Sequence, residues 1–537
     1  MPKLLPLRRA SVAVTASLAA ALIWIASARS QVLPAGIGTL HHVIRTTFPE
    51  AQRLFDQGLT LFYGFNREGA RQSFLGASRI DPAAAMPYFG LALAAGPNLN
   101  SEPIRAEIEA GCAAARKART LARQPDEQAY ADALIGRYCA GLTTDSATGY
   151  AIDAGRLFER YPADPDAATL YADSLMSLRP RSPEQQAELI AVLEQVLSRW
   201  PGHVGANHYY IHVVEGSKNP ERALASAQRL ETMVPAIGHL LHMPAHIYSR
   251  IGDHTRAIQA NERAMAADLA YLRANGASDE QRMYYHHDLE SLAVTAGAAG
   301  RFAAAHRAGT SAASHPASGH SAAASSKPAT SPASAFSPIL GFVLLRFNRF
   351  DDALRLPAPA TNELPDPLWY HYTRSVALAR LGRLPQATRE RDAFRRVAQA
   401  LSPDTIYRQN TAARVAEVFS AILEATLAAA RGEAVAAIQN WERAVVAQDR
   451  LVYHEPPPVY YSVRESLGAA LQRAGRLQEA EAAFRADLTR NPRSGRSLFG
   501  LWQTLAALGR RQEADEAKRS FDTAWTGSDT TLVLADF

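Results

Sequence analysis

Histidines and glutamates with helical spacing are concentrated in one central stretch of this 537-residue sequence. His208, His212 and Glu215 follow one another at intervals of four and three residues, which places them on one face of a helix. His242 and His246 are again four residues apart. Imidazoles crowded on neighbouring helices repel one another when protonated, and a divalent cation relieves this by binding the neutral rings. We therefore predict a transition-metal site in this stretch.

The residues predicted to form one metal site are His208, His212, Glu215, His242, His246 and His287. His239 and Glu290 are secondary candidates. Histidines with a carboxylate and no thiolate suit zinc, copper(II) or iron rather than an iron–sulfur cluster, and zinc and copper are preferred over iron. The alternative is that the histidines are packed or solvated without a metal. Pro244 favours the first turn of a helix, so His239 and His242 could lie in a preceding turn.

A second polar group lies near the C-terminal end. His454 and Glu455 precede three consecutive prolines, and Glu465 follows at the start of the next predicted helix. The proline run predicts an extended segment. This group is interpreted either as a stiff connector with a solvated charge pair or as a further contact for a substrate or metal.

Familiar catalytic motifs are absent from the sequence. It contains no G-x-S-x-G motif, no phosphate-binding glycine loop and no Rossmann fingerprint. The stretch from His242 to His246 has the two-histidine spacing of a zinc peptidase helix but lacks the glutamate after the first histidine. A peptidase of that class is therefore not expected, and the question of catalysis stays open.

The elements that must position these residues are helices. Alanine, leucine, arginine and glutamate recur at helical spacing, and strand-like alternation is scarce. One triplet recurs 34 residues later, as Gly475, Arg476 and Ala480 and then Gly509, Arg510 and Ala514. A 34-residue helix-turn-helix period is typical of tetratricopeptide repeats. In such a unit the glycine gives the turn its backbone freedom and the alanine lets two helices pack closely.

The chain resembles the tetratricopeptide repeat family at two well-matched repeats. The first match comprises Gly58, Ala70, Phe74, Ala77 and Pro82, and the second comprises Leu467, Gly468, Ala480, Phe484 and Pro492. The segment G-H-L-L-H-M-P-A-H-I-Y, from Gly238 to Tyr248, also looks like a subfamily of large bacterial repeat proteins. The resemblance implies an all-α solenoid of helical hairpins, wound as a right-handed superhelix, whose concave groove binds a peptide or protein.

The resemblance also implies where the histidines point. With the repeat register set by Ala223, Pro235, Ala257 and Ala305, the predicted metal ligands fall on the first helices of three consecutive repeats. In this family those helix faces line the concave groove. The imidazoles and carboxylates are therefore expected to converge in one concavity.

The N-terminus predicts an export signal over residues 1–28. Lys3, Arg8 and Arg9 precede an apolar run that ends at Ala26-Ser27-Ala28, an A-x-A cleavage site. Cleavage would release a periplasmic or secreted protein, and the alternative is a retained membrane anchor. The Arg8-Arg9 pair leaves both general and twin-arginine export open.

One stretch departs from the repeat composition. Residues 303–338 are dominated by alanine, serine and proline, and they offer too few large apolar groups to offset the entropy of ordering. We predict a disordered linker there, between an N-terminal repeat array at 40–302 and a C-terminal array at 339–527.

Composition narrows the function classes. Two cysteines, Cys112 and Cys139, cannot form a disulfide scaffold or a cysteine-only metal site, although they could form one disulfide or remain two buried thiols. No basic stripe with interleaved aromatic residues is present, so nucleic acid is not an expected partner. No membrane contact is expected beyond the export signal. Two functions remain: a groove that binds a metal and a peptide or protein, or a metal-dependent enzyme in the same groove.

Overall fold

The computed structural model describes residues 36–100, 103–276, 278–314, 336–359 and 366–537. Its helices follow one another with short turns, and helices that are adjacent in sequence pack against each other as hairpins. A single two-stranded antiparallel hairpin is present within the described residues, with Ile406 paired to Thr411. The predicted all-α fold of tetratricopeptide-like helical hairpins is confirmed.

The helices up to the middle of the chain are α1 Pro49–Tyr63, α2 Arg67–Ile80, α3 Met86–Ala94, α4 Arg105–Leu121, α5 Pro125–Tyr138, α6 Thr144–Arg160, α7 Pro165–Ser177, α8 Pro183–Arg199, α9 Val204–Val214, α10 Leu224–Met233, α11 Gly238–Arg250, α12 His254–Asn275 and α13 Asp279–Ala298. The later elements are α14 Phe302–Ser314, α15 Pro338–Arg346, α16 Phe350–Arg355, α17 Asp366–Arg380, α18 Leu384–Gln399, β1 Ile406–Tyr407, β2 Asn410–Thr411, α19 Ala412–Ala430, α20 Ala434–Asp449, α21 Val463–Arg473, α22 Leu477–Arg490, α23 Gly495–Ala507 and α24 Arg511–Ala524. Short 3₁₀ turns occur at Pro220–Ala223 and Leu534–Asp536.

The chain divides into two compact units. Within the described residues, unit 1 runs to Val214 and adds Ala225–Leu241 and Ala267–Gln281. Unit 2 consists of Glu215–Leu224, His242–Ala266 and Arg282–Phe537. The arrays predicted at 40–302 and 339–527 stay a prediction.

Close packing in the two well-matched repeats rests on one phenylalanine in each. Phe74 is fully buried, and a Cβ atom added to Gly58 would lie 2.7 Å from its ring. A Cβ atom added to Gly90, one repeat further on, would overlap the same ring. Phe484 is packed in the same way between Gly468 and the glycine of the next repeat. The glycines matched in sequence are thus required for close approach of three successive helices.

The turn glycines have a different role. Gly475 and Gly509 adopt φ values of 73° and 75°, in the left-handed region that favours glycine. A Cβ atom at either position would meet nothing within 4 Å. Glycine is therefore favoured there by the backbone conformation and not by a lack of space for a side chain. The turn chemistry predicted from the 34-residue period is confirmed at both.

The predicted linker at 303–338 is described only in part. Residues 315–335 lie outside the described residues, whereas the preceding residues form α14, Phe302–Ser314. In this helix Ala305, Ala308 and Ala312 are buried, and a Cβ atom added to Gly309 would lie 3.0 Å from the Leu340 backbone. Small side chains therefore bring α14 close to α15, a role that composition alone did not reveal.

Three further features bear on the predictions. Cys112 and Cys139 form a disulfide between α4 and the end of α5, with Cα atoms 5.0 Å apart. The helices of the described residues are all too short or too polar to span a bilayer. The predicted export signal at 1–28 lies outside the described residues.

Candidate metal centre

Three segments of unit 2 bring four potential metal ligands together. Helix α11 carries His242 and His246 four residues apart, and α13 carries His287. Glu455 lies in the extended segment between α20 and α21. Pro244 lies inside α11, so His242 and His246 share one continuous helix and not a helix and a turn. The helical spacing assumed for this pair is therefore present.

The four side chains converge through three Nε2 atoms and one carboxylate oxygen. His242 Nε2 lies 2.8 Å from His246 Nε2, 3.1 Å from His287 Nε2 and 3.5 Å from Glu455 Oε2. Glu455 Oε2 lies 3.4 Å from His246 Nε2 and 3.1 Å from His287 Nε2. All four atoms lie within 4.8 Å of one another. We call these four residues the unit 2 cluster.

These separations are similar to those between the ligand atoms of a four-coordinate metal ion. Metal–ligand bonds of about 2.05 Å in a tetrahedral site separate ligand atoms by about 3.3 Å. A square-planar site with the same bonds would place two of its six ligand pairs about 4.1 Å apart. Five of the six pairs in the unit 2 cluster are separated by 3.5 Å or less. The cluster is therefore closer to the dimensions of a tetrahedral site than to those of a square-planar one.

Hydrogen bonds at the far side of two rings fix which nitrogen faces the cluster. His242 Nδ1 lies 2.7 Å from Asn261 Oδ1, and because an amide oxygen only accepts, Nδ1 carries the proton. His246 Nδ1 donates in the same way to the Glu215 carboxylate. Both neutral rings then direct lone pairs from Nε2 at each other across 2.8 Å. Such an arrangement needs a positive charge between the rings, supplied by a proton or by a metal ion.

Glu455 is oriented by a chain of polar contacts from α12 and α13. Asn261 Nδ2 donates to Ser291 Oγ at 3.3 Å, and Ser291 Oγ donates to Glu455 Oε1 at 2.5 Å. The remaining oxygen of Glu455, Oε2, is the one that faces the three imidazoles. Outer contacts of this kind fix ligand orientation and basicity in metal sites.

Negative charge surrounds the cluster. Besides Glu455 and Glu215, a third carboxylate, Asp288, lies near it. Asp288 is fully buried, and its Oδ1 lies 3.4 Å from His242 Nδ1. Burial by itself lowers the pKa of His242, but Asp288 and Glu455 outweigh it and raise this pKa to about 9. Burial by itself raises the pKa of Glu455, yet His246 and His287 hold it well below its usual range. The site thus stabilises positive charge at its centre.

A second histidine group lies in unit 1. His208 and His212 on α9 and His239 near the start of α11 each offer one nitrogen, and these atoms lie within 4.8 Å of one another. His208 Nε2 is 3.0 Å from His239 Nε2. The ring centroids of His208 and His212 are 4.9 Å apart. We call these three residues the unit 1 cluster.

The unit 1 cluster is also oriented from outside. His208 Nδ1 donates to the Tyr63 carbonyl oxygen at 2.6 Å, which leaves the Nε2 lone pair of the neutral ring directed at the cluster. Phe65 covers it with an apolar ring, stacked at 5.3 Å on His239 and at 5.9 Å on His212. Three imidazoles leave one position of a tetrahedral metal ion without a protein ligand.

The other predicted residues have different contacts. Glu215 accepts from His246 Nδ1 and from Tyr453 OH at 3.4 Å, and its carboxylate is also placed where it could bind a metal ion. Glu290 pairs with Arg408 and Tyr460. Glu465 pairs with Arg346 at 2.5 Å.

His454 also lies outside the two clusters. Its Nδ1 contacts the Pro456 carbonyl oxygen at 3.0 Å, and burial lowers its pKa to about 4. The six residues predicted as one site thus fall into two units: His208 and His212 are in the unit 1 cluster, and His242, His246 and His287 are in the unit 2 cluster. Metal binding by either cluster stays a prediction.

Sequence reasoning missed the residues that orient the unit 2 cluster. Asn261, Asp288 and Ser291 were not singled out, since a polar residue on a helix gives no signal of its own. Asp288 follows His287 directly and Ser291 follows Glu290, so neighbours of candidate ligands were the available clue. Glu455 was a secondary candidate only.

A separate buried ion pair in unit 1 anchors the segment before α1. His42 Nδ1 lies 2.8 Å from Asp166 Oδ2, and Asp166 Oδ1 contacts His203 Nε2 at 3.0 Å and Tyr63 OH at 2.7 Å. Burial lowers the pKa of His42, but Asp166 outweighs this and raises it to about 8. The contacts tie the first described residues to α7.

Comparisons with known proteins identify neither a family nor a function for this chain. No protein family model and no curated protein matches the sequence. Among solved structures, the chain is similar to the crystal structure of yeast Tom70, with a TM-score of 0.30 and 13% sequence identity, over 90% of this chain and 93% of that one. A likeness this low transfers neither fold nor function, so both are argued from the chain's own packing and chemistry.

Proposed function

We propose that this is an exported repeat protein that binds one divalent transition metal ion in unit 2, through His242, His246, His287 and Glu455. The observation that carries the proposal is the 2.8 Å distance between His242 Nε2 and His246 Nε2. In both rings the other nitrogen, Nδ1, donates a hydrogen bond, so Nε2 carries the lone pair. Two lone pairs held this close by buried partners are the arrangement that a metal ion requires of its ligands.

Zinc is the metal that the geometry favours. Zinc accepts three imidazoles and a carboxylate in a tetrahedron, whereas copper(II) prefers square-planar or tetragonal sites. With four protein ligands the site is closed, which is typical of structural and storage sites and not of hydrolytic ones. The side chain of His287 is 25% exposed, which gives an ion a route from solvent.

Metal analysis of purified protein tests this proposal. We expect zinc at one equivalent per chain from the unit 2 cluster, measured by mass spectrometry of the acid-digested protein. The double variant His242→Gln/Glu455→Gln should lose about one equivalent, since it removes two of four ligands. His371→Gln, a histidine of unit 2 paired with Glu390, is the matched control and should lose none. Unchanged zinc in the double variant would overturn the proposal.

A second candidate function is metal-dependent catalysis in unit 1. The observation that favours it is the three-histidine cluster, because a zinc, copper or iron ion held there would keep a position for water or substrate. The apolar cover of Phe65 would exclude bulk water from that position.

Cobalt(II) with azide as a probe separates the two functions. Azide should change the visible spectrum of the cobalt-loaded protein by binding the open position of the unit 1 cluster. His208→Gln should abolish this change, and the control His242→Gln should keep it. An azide response that survives in His208→Gln, or no response at all, would remove this candidate.

Export and a peptide partner remain part of the proposal. The Cys112–Cys139 disulfide supports export, since disulfides persist in oxidising compartments such as the periplasm. The helical hairpins support binding of a peptide or protein, which is a common use of helical repeats.

A further inference from the structure

A cavity of about 90 Å³ lies within unit 2, away from the residues of the metal cluster. Its walls come from α15, α17 and α19 and from the last residues of the chain. Eight aromatic side chains line it, among them Phe342, Tyr372, Phe419, Trp441, Tyr460 and Tyr461. At about 10–15 Å³ for each water-sized position, it has room for roughly six to nine non-hydrogen atoms.

Three arginines line the same cavity. Arg346 pairs with Glu465 at 2.5 Å and 3.2 Å. Arg496 is 5% exposed, and its guanidinium donates to two backbone carbonyls, of Arg346 at 2.5 Å and of Asp536 at 3.3 Å. Arg380 donates to the Ala535 carbonyl at 2.5 Å. Carbonyl oxygens satisfy hydrogen bonds but carry no charge to balance a guanidinium.

Donor capacity remains after these contacts. The Nε–H groups of Arg346 and Arg496 are buried and, among the described residues, have no hydrogen-bond partner. A buried donor of this kind costs free energy unless a ligand or water satisfies it. Two unsatisfied guanidinium donors beside one cavity indicate a missing acceptor.

Two of these arginines, Arg346 and Arg496, also lie close enough to repel each other. Glu465 balances Arg346, whereas Arg496 and Arg380 donate to uncharged carbonyl oxygens. Burial, followed by the charge of Arg346, lowers the pKa of Arg496 to about 9. A negatively charged acceptor in the cavity would offset the repulsion between Arg346 and Arg496.

We propose that this cavity binds a small organic monocarboxylate with a planar apolar body. A guanidinium presents its donors as a planar fork that matches a carboxylate. The aromatic walls suit a planar apolar group, which an inorganic anion lacks. The inference is independent of the metal proposal, because it shares no residue with either histidine cluster.

The inference is tested by calorimetric titration of the unaltered protein with benzoate. The metal content of the protein is held constant. We expect saturable binding of benzoate at least about 10-fold tighter than that of benzamide, which has the same shape without the charge. Inorganic phosphate should not compete. Equal affinity for benzamide, or no benzoate binding at millimolar concentration, would overturn the proposal.

Two variants locate the binding. Val376 lines the cavity, so Val376→Phe should fill it and abolish benzoate binding, whereas Val435→Phe at a position 70% exposed should leave binding unchanged. Arg496→Met should weaken binding about 10-fold or more. Benzoate binding that is retained in Val376→Phe would place it elsewhere and refute the cavity. If a variant fails to fold, the benzoate and benzamide comparison on the unaltered protein still decides.

Discussion

Zinc is expected to raise the melting temperature of the protein by about 8 °C when free zinc exceeds the dissociation constant 1,000-fold. A ligand at that excess stabilises the folded state by about 4 kcal/mol, and each kcal/mol shifts the melting temperature of a domain this large by about 2 °C. The cause is that His242, His287 and Glu455 lie on α11, α13 and the segment after α20, far apart in the unfolded chain. Only the folded unit brings them to one point.

The variants should divide into ligands and orienting residues. His242→Ala removes the ring at the centre of the cluster and should abolish the zinc-dependent rise. Glu215→Gln keeps all four ligands of the unit 2 cluster but weakens the hydrogen bond that orients the His246 ring. Zinc affinity should therefore fall about 10- to 100-fold. The rise is measured by calorimetry as the difference between zinc-loaded and chelator-treated protein. His371→Gln should show the full zinc-dependent increase in melting temperature. The same full increase in His242→Ala would contradict zinc binding by the unit 2 cluster.

Phe484→Ala should lower the free energy of unfolding of unit 2 by about 3–5 kcal/mol. Its ring is fully buried in close contact with Gly468 and Gly500, so truncation leaves a cavity between three successive helices. Denaturation by urea, followed by circular dichroism in the presence of chelator, measures the loss. Val446→Ala, at a position 51% exposed, should change stability by less than about 0.5 kcal/mol.

A second substitution shows whether the ring and the glycine act together. Gly500→Ala alone should be destabilising, because the new Cβ atom would overlap the Phe484 ring. In the Phe484→Ala background the same substitution should cost little, since the overlapping ring is gone. Additive losses would mean that the described packing is wrong.

Local spacing accounts for the features that the sequence predicted correctly. The 34-residue period, the turn glycines Gly475 and Gly509, and the packing of Phe74 and Phe484 all depend on contacts within one repeat or between neighbours. His242 and His246 are close because a helix places residues four apart on one face, and Pro244 does not interrupt that helix. Such short-range geometry is encoded directly in spacing.

Long-range packing decided the rest. The sequence placed six residues in one predicted site, but which rings share a centre depends on how each helix is rotated against its neighbours, and spacing along one helix does not contain that rotation. His208 and His212 therefore group with His239, whereas His287 and the distant Glu455 group with His242. Asn261 on α12 orients His242 only because α12 packs against α11, and Ser291 on α13 orients Glu455 only because α13 meets the Glu455 segment. The sequence determined the helices and the ligand types, and tertiary packing determined which ligands meet.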